Sequence, residues 1–127
     1  MAANRKNVSV AIDVPETLKV QAIDVELVEI LNNLLANAIH YSPEHEPVRV
    51  TALRRSGQVE VFVSDHGPGV DPRLSGKIFQ PFVTTRTENG NGLGLWISRE
   101  LARKVGGELS LVPSTQEATF KLLLKAA

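Results

Sequence analysis

Residues 48–64, VRVTALRRSGQVEVFVS, decide the predicted fold because they contain two runs of alternating apolar and polar side chains. The runs at 48–54 and 58–64 have the two-residue period of half-buried β-strands. The connection Arg55-Ser56-Gly57 is short and contains glycine, which is typical of a hairpin. We therefore expect an antiparallel hairpin here, with one face turned to the core.

The segment before the hairpin predicts a strand and a long helix. Residues 8–14 alternate as a strand does, Pro15 ends that strand, and residues 19–22 are expected to pair beside it. Residues 24–41 have helical periodicity, with Asp24 as the expected N-cap. The apolar face of this helix is predicted to comprise Leu27, Val28, Leu31, Leu34, Leu35, Ala38 and Ile39.

The C-terminal part of the chain predicts a second helix and two closing strands. Helical periodicity returns at about 93–105, and Gly106-Gly107 is the expected C-cap. Residues 108–112 and 117–124 have the pattern of strands. The apolar face of the second helix is predicted to comprise Leu93, Ile97, Leu101 and Val105.

The order of these elements predicts an α+β two-layer sandwich. We expect a mixed, mostly antiparallel sheet of about five strands, covered on one face by about three helices, one of them short and near 78–83. A single domain is expected over 8–127, after a tail at 1–7. The segment at about 70–91 is long for a connection, and such loops are usually functional or mobile.

Composition limits the classes of function. The chain has 127 residues, of which 43% are hydrophobic and 22% charged, so one globular domain is expected. Its 14 basic and 14 acidic residues give no net charge, which argues against a nucleic-acid binder. It contains no cysteine, and hence no disulfide or cysteine-ligated zinc. We find no apolar run long enough for a membrane span and expect no signal peptide.

Three motifs carry residue types suited to a phosphate ligand. Asn33 and Asn37 lie one helical turn apart beside the apolar face, where their carbonyls suit a hard cation and their amides suit phosphate, although a solvated polar face is the alternative. Asp65 begins DHGPG after a strand, which is either a ligand-binding turn or an ordinary one. GNGLGL, residues 90–95, precedes a helix and resembles an anion site, weakly by itself.

The four segments LLANAIHYSP, DHGPGVDP, IFQPFVTT and GNGLGLWISRELARKVGGEL follow one another in an order that identifies a family. Over residues 8–124 the chain resembles the catalytic ATP-binding domain of bacterial sensor histidine kinases, in the superfamily shared with gyrase B, MutL and the heat-shock chaperone ATPases. The segments are similar to its asparagine box, first glycine box, phenylalanine box and second glycine box. The resemblance implies a Bergerat-type sandwich with a mobile ATP lid at about 70–91.

The resemblance also implies a role for each matching residue. Asn37 is expected to bind Mg²⁺, Asn33 to lie near the metal and the phosphates of ATP or ADP, and Asp65 to accept a hydrogen bond from the adenine amine. Asn33 and Arg86 are the expected catalytic residues, and Arg86 is expected to neutralise the γ-phosphate. The other expected nucleotide-binding residues are His40, Tyr41, Gly67, Gly69, Thr85, Gly90, Gly92, Leu93 and Gly94.

Three residues stand out against the family pattern. His66 replaces the frequent asparagine of the first glycine box and is interpreted as a simple turn residue. His40 stands where such kinases commonly have lysine or arginine, so it either donates to phosphate when protonated or is a neutral surface imidazole. Trp96 falls on a charged helix face, which suggests contact with the lid or a partner domain, or else cover by the phenylalanine patch of this domain.

Asn33 and the histidine content together favour a kinase domain that needs a partner. The superfamily's hydrolases have a glutamate where Asn33 stands, and an amide cannot act as a general base, so slow intrinsic hydrolysis is expected. The three histidines lack the context of a phosphoacceptor helix. The implied partners are therefore the dimerisation and phosphoacceptor domain of a parent kinase and, indirectly, a response regulator.

Further consequences of the resemblance concern the state of the domain. We expect it to be a cytoplasmic monomer with no direct membrane contact, although the parent kinase can be membrane-anchored. A stand-alone anti-sigma-factor serine kinase of the same superfamily is the first alternative. A non-catalytic, nucleotide-gated interaction module is the second.

Overall fold

Two helices and one five-stranded sheet make up the described part of the chain. A computed structural model describes residues 8–66, 77–80, 94–112 and 117–127. The helices are α1 (Asp24–Tyr41) and α2 (Gly94–Lys104). The strands are β1 (Val10–Asp13), β2 (Val48–Arg55), β3 (Gln58–Ser64), β4 (Glu108–Leu111) and β5 (Thr119–Lys125).

The sheet has the strand order β1-β2-β3-β5-β4. β1 pairs with β2 in parallel, and the other three pairs are antiparallel, so the predicted mixed, mostly antiparallel α+β sandwich is confirmed. Hairpin β2–β3 turns through Ser56 and Gly57, whose φ angles of 52° and 78° are both positive, as a type I′ turn requires. β3 thus lies at the centre of the sheet, and Asp65 follows its last residue.

Both helices pack on one face of the sheet. Leu34 of α1, Ala102 of α2 and Leu122 of β5 are fully buried in a single hydrophobic core. Burying a leucine side chain stabilises a fold by about 1.5–3 kcal/mol. The predicted apolar face of α1 is correct except at Val28, which is 55% exposed, whereas Ile30 is buried in its place. The face of α1 is therefore rotated slightly from the predicted one.

The predicted N-cap of α1 is wrong by one residue. Ile23 occupies the cap position with extended backbone (φ −85°, ψ 126°) and makes no side-chain cap hydrogen bond. Asp24 is instead the first helical residue, where its negative charge still interacts favourably with the positive end of the helix dipole.

The predicted C-cap of α2 is confirmed, because Gly106 has φ 81° and the amide of Gly107 donates to the carbonyl of Ala102 over 2.8 Å.

Three other expectations need correction or lie outside the described residues. The segment at 19–22 pairs with the C-terminal end of β5 rather than with β1, through the bridge between Val20 and Ala126. The described ranges contain two helices rather than about three, and residues 77–80 form a turn. The tail at 1–7 and most of the segment at 70–91 lie outside the described residues. No helix in the described ranges is long and apolar enough to cross a membrane.

Candidate functional site

Asn33 and Asn37 occupy one side of α1, next to the buried side chains of Leu34 and Ala38. Both asparagines are half-buried. Residues four apart on a helix lie one above the other, so the two amides share a face at the edge of the core. Both residues thus lie beside the apolar face, as predicted, and a ligand-binding role for either of them stays a prediction.

Asn33 connects α1 to the first turn of α2. Its side-chain nitrogen Nδ2 donates to the backbone carbonyl of Gly94 at 3.3 Å and to the hydroxyl oxygen of Ser98 at 3.0 Å. A backbone carbonyl can only accept a hydrogen bond, so the nitrogen end of the amide must be the end that faces α2. The contact brings together two predicted site residues, Asn33 and Gly94, that are 61 positions apart in sequence.

Asp65 is a buried carboxylate at the end of β3, with only 1% of its surface exposed. Its backbone amide donates to the carbonyl of Ala118 at 3.1 Å. The next residue ties this turn to the C-terminal end of α1, because the amide of His66 donates to the hydroxyl of Ser42 at 3.3 Å. Nδ1 of His66 also donates to the carbonyl of Pro47 at 2.7 Å, since a carbonyl can only accept. The backbone at Asp65 is therefore held by Ala118 on one side and, through His66, by Ser42 and Pro47 on the other.

His40 and Tyr41 lie in the last turn of α1, near the end that Ser42 joins to the Asp65 turn. Their rings meet edge to face with centroids 4.9 Å apart, and both side chains are half-buried. An aromatic ring and an imidazole therefore lie in the turn of α1 that follows Asn37. Whether either residue contacts a nucleotide stays a prediction.

Seven predicted site residues lie outside the described ranges, so the structure does not place them: Gly67, Gly69, Thr85, Arg86, Gly90, Gly92 and Leu93. Six are described: Asn33, Asn37, His40, Tyr41, Asp65 and Gly94. Of these, the structure joins Asn33 to Gly94 directly and links Asp65 to the end of α1 through Ser42.

Ser98 and Ser42 support the site but were missed from the sequence. Both serines are fully buried, with 0% exposure. Of the predicted face of α2, Leu101 and Val105 pack against the core as expected, Ile97 does not, and the fully buried residues are Ser98 and Ala102. Ser98 lies one helical turn before Ala102, and this spacing is the signal in the sequence that could have indicated its burial. The signal is weak, because hydroxyls are seldom buried without a hydrogen-bond partner and that partner, Asn33, is remote in sequence.

Arg99 contributes a positive charge next to the phenylalanine box. Its guanidinium carbon lies 4.8 Å above the centroid of the Phe79 ring, a cation–π contact. Phe79 in turn packs edge to face on Phe120 of β5, with centroids 6.1 Å apart. Arg99, which follows Ser98 on α2, therefore attaches the turn at 77–80 to this helix. Trp96 is half-buried, and its predicted partner contact stays a prediction.

Ion pairs hold the C-terminal end of α2. Nζ of Lys104 lies 2.5 Å from a carboxylate oxygen of Glu26 in the first turn of α1. Arg103 donates to both carboxylate oxygens of Glu108, at 3.0 and 3.1 Å. This hydrogen bond is the largest influence on the pKa of the Glu108 carboxyl and lowers it. Burial opposes this effect, and the amide of Leu109, which donates to the same carboxylate, lowers the pKa by a smaller amount than burial raises it. Correspondingly, Glu108 raises the pKa of the Arg103 guanidinium.

The sequence profile of the histidine kinase-, DNA gyrase B- and HSP90-like ATPases matches residues 22–127. The sensor-like histidine kinase SenX3 of Mycobacterium tuberculosis is 34% identical over 133 residues, which cover 99% of this chain and 32% of that protein. The two-component sensor PprA of Pseudomonas aeruginosa is 39% identical over 80% of this chain and 12% of its own length. The chain thus spans a third or less of these relatives.

Solved structures of histidine kinases have the same fold as this chain. The catalytic domain of the histidine kinase ThkA has a TM-score of 0.86 at 29% identity, covering 97% of this chain and 82% of that one. Full-length ShkA in complex with AMPPNP has a TM-score of 0.85 at 32% identity, covering 99% of this chain and 27% of that one. The fold of a mycobacterial sensor histidine kinase, MprB, also matches, with a TM-score of 0.87 at 24% identity, over 98% of this chain and 88% of that one. The chain belongs to the family of histidine kinase-, DNA gyrase B- and HSP90-like ATPases, and it corresponds to the ATP-binding catalytic domain of the sensor histidine kinases in that family.

Proposed function

We propose that this domain binds Mg-ATP beside α1 and the N-terminal end of α2, and that it transfers the γ-phosphoryl group to a histidine on the acceptor domain of its parent kinase. The observation that carries the proposal is the contact of Asn33 with Gly94 and Ser98, which joins the asparagine face of α1 to the first turn of α2. Helix N-termini offer unsatisfied N–H groups and a positive dipole end to phosphate oxygens. An asparagine face next to such an end supplies neutral oxygen ligands for the accompanying cation.

The donor set beside this contact fits magnesium that is bound together with a nucleotide. Mg²⁺ bound in this way takes one or two protein oxygens, and phosphate oxygens and waters complete its shell. Asn37 offers one such amide oxygen. In the described ranges, no three His, Cys, Asp or Glu side chains come together as a metal site, so the metal would depend on the phosphates for its other ligands. Magnesium supplies positive charge to the phosphoryl group when it is bound.

Asp65 is proposed to select adenine. A buried carboxylate accepts a hydrogen bond from the exocyclic amine of adenine, whereas it repels the carbonyl oxygen that guanine carries at the same ring position. Burial of Asp65 and its attachment through Ala118 and His66 support a fixed recognition point. We propose that Gly67 and Gly69 admit the base to this carboxylate and that Tyr41 flanks it.

The phosphates are proposed to bind at the start of α2 and the segment before it. We propose that backbone amides of Gly90, Gly92, Leu93 and Gly94 contact phosphate oxygens. Thr85, Arg86 and His40 are proposed to add polar and positive groups around the γ-phosphate. Positioning and charge neutralisation then supply most of the catalysis, as phosphoryl transfer requires little covalent participation by the protein.

Asn33 bears on the fate of the γ-phosphoryl group. An amide cannot take a proton from water at neutral pH, so this residue cannot act as the general base of a hydrolase. Slow hydrolysis keeps the phosphoryl group available for a protein acceptor. We propose that this acceptor is a histidine of the dimerisation domain of the parent kinase, that a response regulator receives the group afterwards, and that the domain acts in the cytoplasm, where ATP is available.

Calorimetry with Mg-ADP and a non-hydrolysable ATP analogue tests the binding site. We expect Asn37→Ala and Asp65→Asn to weaken binding by at least about tenfold, because each removes a ligand-facing group (about 1.4 kcal/mol). Asn32→Ala is the matched control, since Asn32 is an exposed asparagine on the same helix and should bind as the wild type does. Equal affinities for all four proteins would contradict the proposed site.

Transfer is tested separately by supplying an acceptor-histidine hairpin domain of a related kinase together with labelled ATP. The expected product is an acid-labile phosphohistidine on the hairpin, absent when its histidine is replaced by alanine. An acid-stable phosphoserine product, or tight binding without transfer to any acceptor, would contradict the proposed reaction.

A further inference from the structure

Ser98 is a buried hydroxyl in the first turns of α2, with 0% of its surface exposed. It lies among apolar residues of the core face, one turn before Ala102. Its hydroxyl oxygen accepts a hydrogen bond from Nδ2 of Asn33 at 3.0 Å. A buried hydroxyl costs free energy unless it is hydrogen-bonded, so the contact with Asn33 compensates for the burial of Ser98.

The two bonds of Asn33 define the orientation of its amide. The carbonyl of Gly94 requires the nitrogen end of the amide to face α2. With that bond alone the amide plane could still rotate, because the terminal torsion of asparagine is broad. The same nitrogen also donates to Ser98, and because an amide nitrogen carries two N–H groups, one for each of the two acceptors, the pair of bonds fixes the plane. Both amide protons are then used within the protein, and Oδ1 is the polar atom of this side chain that is left to serve a ligand.

We propose that Ser98 is a positioning residue, which holds the Asn33 amide so that it offers an oxygen, and not an N–H group, to the nucleotide site. A carbonyl oxygen is attracted to Mg²⁺ or to a water molecule in its shell and is repelled by a phosphate oxygen. Ser98 thereby makes Asn33 a residue that serves the metal rather than one that donates to phosphate. This inference rests on the proposed function for its ligand, but the amide orientation can be measured without any ligand.

The first experiment measures amide mobility in the nucleotide-free protein. ¹⁵N relaxation of the Asn33 side chain should give an order parameter near that of rigid backbone in the wild type, about 0.85, and below about 0.6 in Ser98→Ala. Ala102→Gly is the matched control, because it weakens the buried face of α2 without touching the amide. An unchanged order parameter in Ser98→Ala would overturn the inference, whether or not the domain binds ATP.

The second experiment measures how nucleotide affinity depends on magnesium. Ser98→Ala should weaken ADP binding about three- to tenfold with Mg²⁺ present, the effect of one hydrogen bond, and should leave binding in excess EDTA unchanged. In an Asn33→Ala background, Ser98→Ala should have no further effect on affinity, because the serine acts through the asparagine. Equal losses with and without Mg²⁺, or an additive loss in the double variant, would indicate a merely structural serine.

The outcomes separate this inference from the proposed function. Absence of nucleotide binding by the wild type would contradict the proposed function, while the relaxation measurement would still decide whether Ser98 holds the amide. Normal wild-type binding, loss in Asn37→Ala and wild-type behaviour of Ser98→Ala would contradict only the inference. Thermal unfolding of each variant shows whether the domain is folded under the assay conditions.

Discussion

The ammonium group of Lys104 lies 2.5 Å from a carboxylate oxygen of Glu26, which ties the last turn of α2 to the first turn of α1. Asn33 ties the first turn of α2 to the middle of α1. Asn33 lies seven positions after Glu26 on α1, and its partner Ser98 lies six positions before Lys104 on α2, so these two attachments are about 10 and 9 Å apart along the helices at 1.5 Å per residue. The helices therefore run antiparallel and are joined at two points.

Lys104→Ala tests the ion pair between Lys104 and Glu26. We expect a loss of free energy of unfolding of at most about 1 kcal/mol, because the lysine is 54% exposed and such pairs are screened by water and salt. Urea unfolding at low and high ionic strength measures the loss, which should shrink as salt increases. A loss that is independent of salt would show that the lysine stem, and not its charge, provides the stabilisation.

Gly94→Ala separates binding from folding. A Cβ at this position would lie 3.7 Å from Cγ and 3.8 Å from Oδ1 of Asn33, both ordinary van der Waals contacts, and alanine has less conformational freedom than glycine in the unfolded chain. The free energy of unfolding should therefore stay the same or increase.

Nucleotide affinity of the same variant should fall by about tenfold or more if the backbone at Gly94 approaches a phosphate closely. Calorimetry and urea unfolding on one preparation measure both quantities. Wild-type affinity in a stable Gly94→Ala protein would remove Gly94 from the binding site.

Gly107→Ala should destabilise the fold more than Gly106→Ala. A Cβ on Gly107 would overlap the backbone carbonyl oxygen of Leu123, which cannot move without disturbing β5, so a loss of about 3 kcal/mol or more is expected. Gly106 has φ 81°, and a Cβ there meets only the flexible end of Lys125, so about 1–2 kcal/mol is expected from the left-handed backbone. Denaturant midpoints of the two variants give the order, and the reverse order would contradict the described packing.

The Arg103–Glu108 pair predicts a dependence of stability on pH. The pKa of Glu108 is lower in the folded protein than its ordinary value, so its contribution to stability is complete above that ordinary value and is lost as the pH falls through the folded-state value. The contribution should be small, since both side chains are more than a third exposed.

NMR titration of the Glu108 carboxyl carbon measures this shift directly. In Arg103→Gln the pKa should move back towards its ordinary value, because the raising effect of burial is larger than the lowering effect of the Leu109 amide. Glu100→Gln is the control, because it removes a nearby charge without removing a hydrogen bond to Glu108. An unchanged pKa in Arg103→Gln would contradict the assigned cause.

Local patterns in the sequence predicted most of the elements. The bounds of α1 are correct because its periodicity runs over five turns, and the hairpin β2–β3 is correct because its turn needs only neighbouring residues. The partner of residues 19–22 was predicted wrongly, since the choice between β1 and the end of β5 depends on contacts more than 100 positions apart. Such pairing leaves no local signal.

The motif residues of the candidate site could be predicted from the sequence, but the residues that hydrogen-bond to them could not. Asn33 and Asp65 were found from residue type and order. Ser98 was missed because its burial depends on Asn33, 65 positions away, and a serine by itself indicates a polar surface. Ala102 was left out of the predicted face of α2 for a similar reason, because that face was assigned from large apolar side chains alone.

The hairpin turn at Ser56-Gly57 makes the domain convenient to label. Gln58, at the start of β3, is exposed, and Asp65 lies seven positions further along the extended chain, about 23 Å away. The protein has no cysteine of its own. Gln58→Cys would therefore accept a single fluorophore or surface linker at the opposite end of the central strand from the buried carboxylate, so that binding can be followed on an immobilised or fluorescent protein whose site is undisturbed.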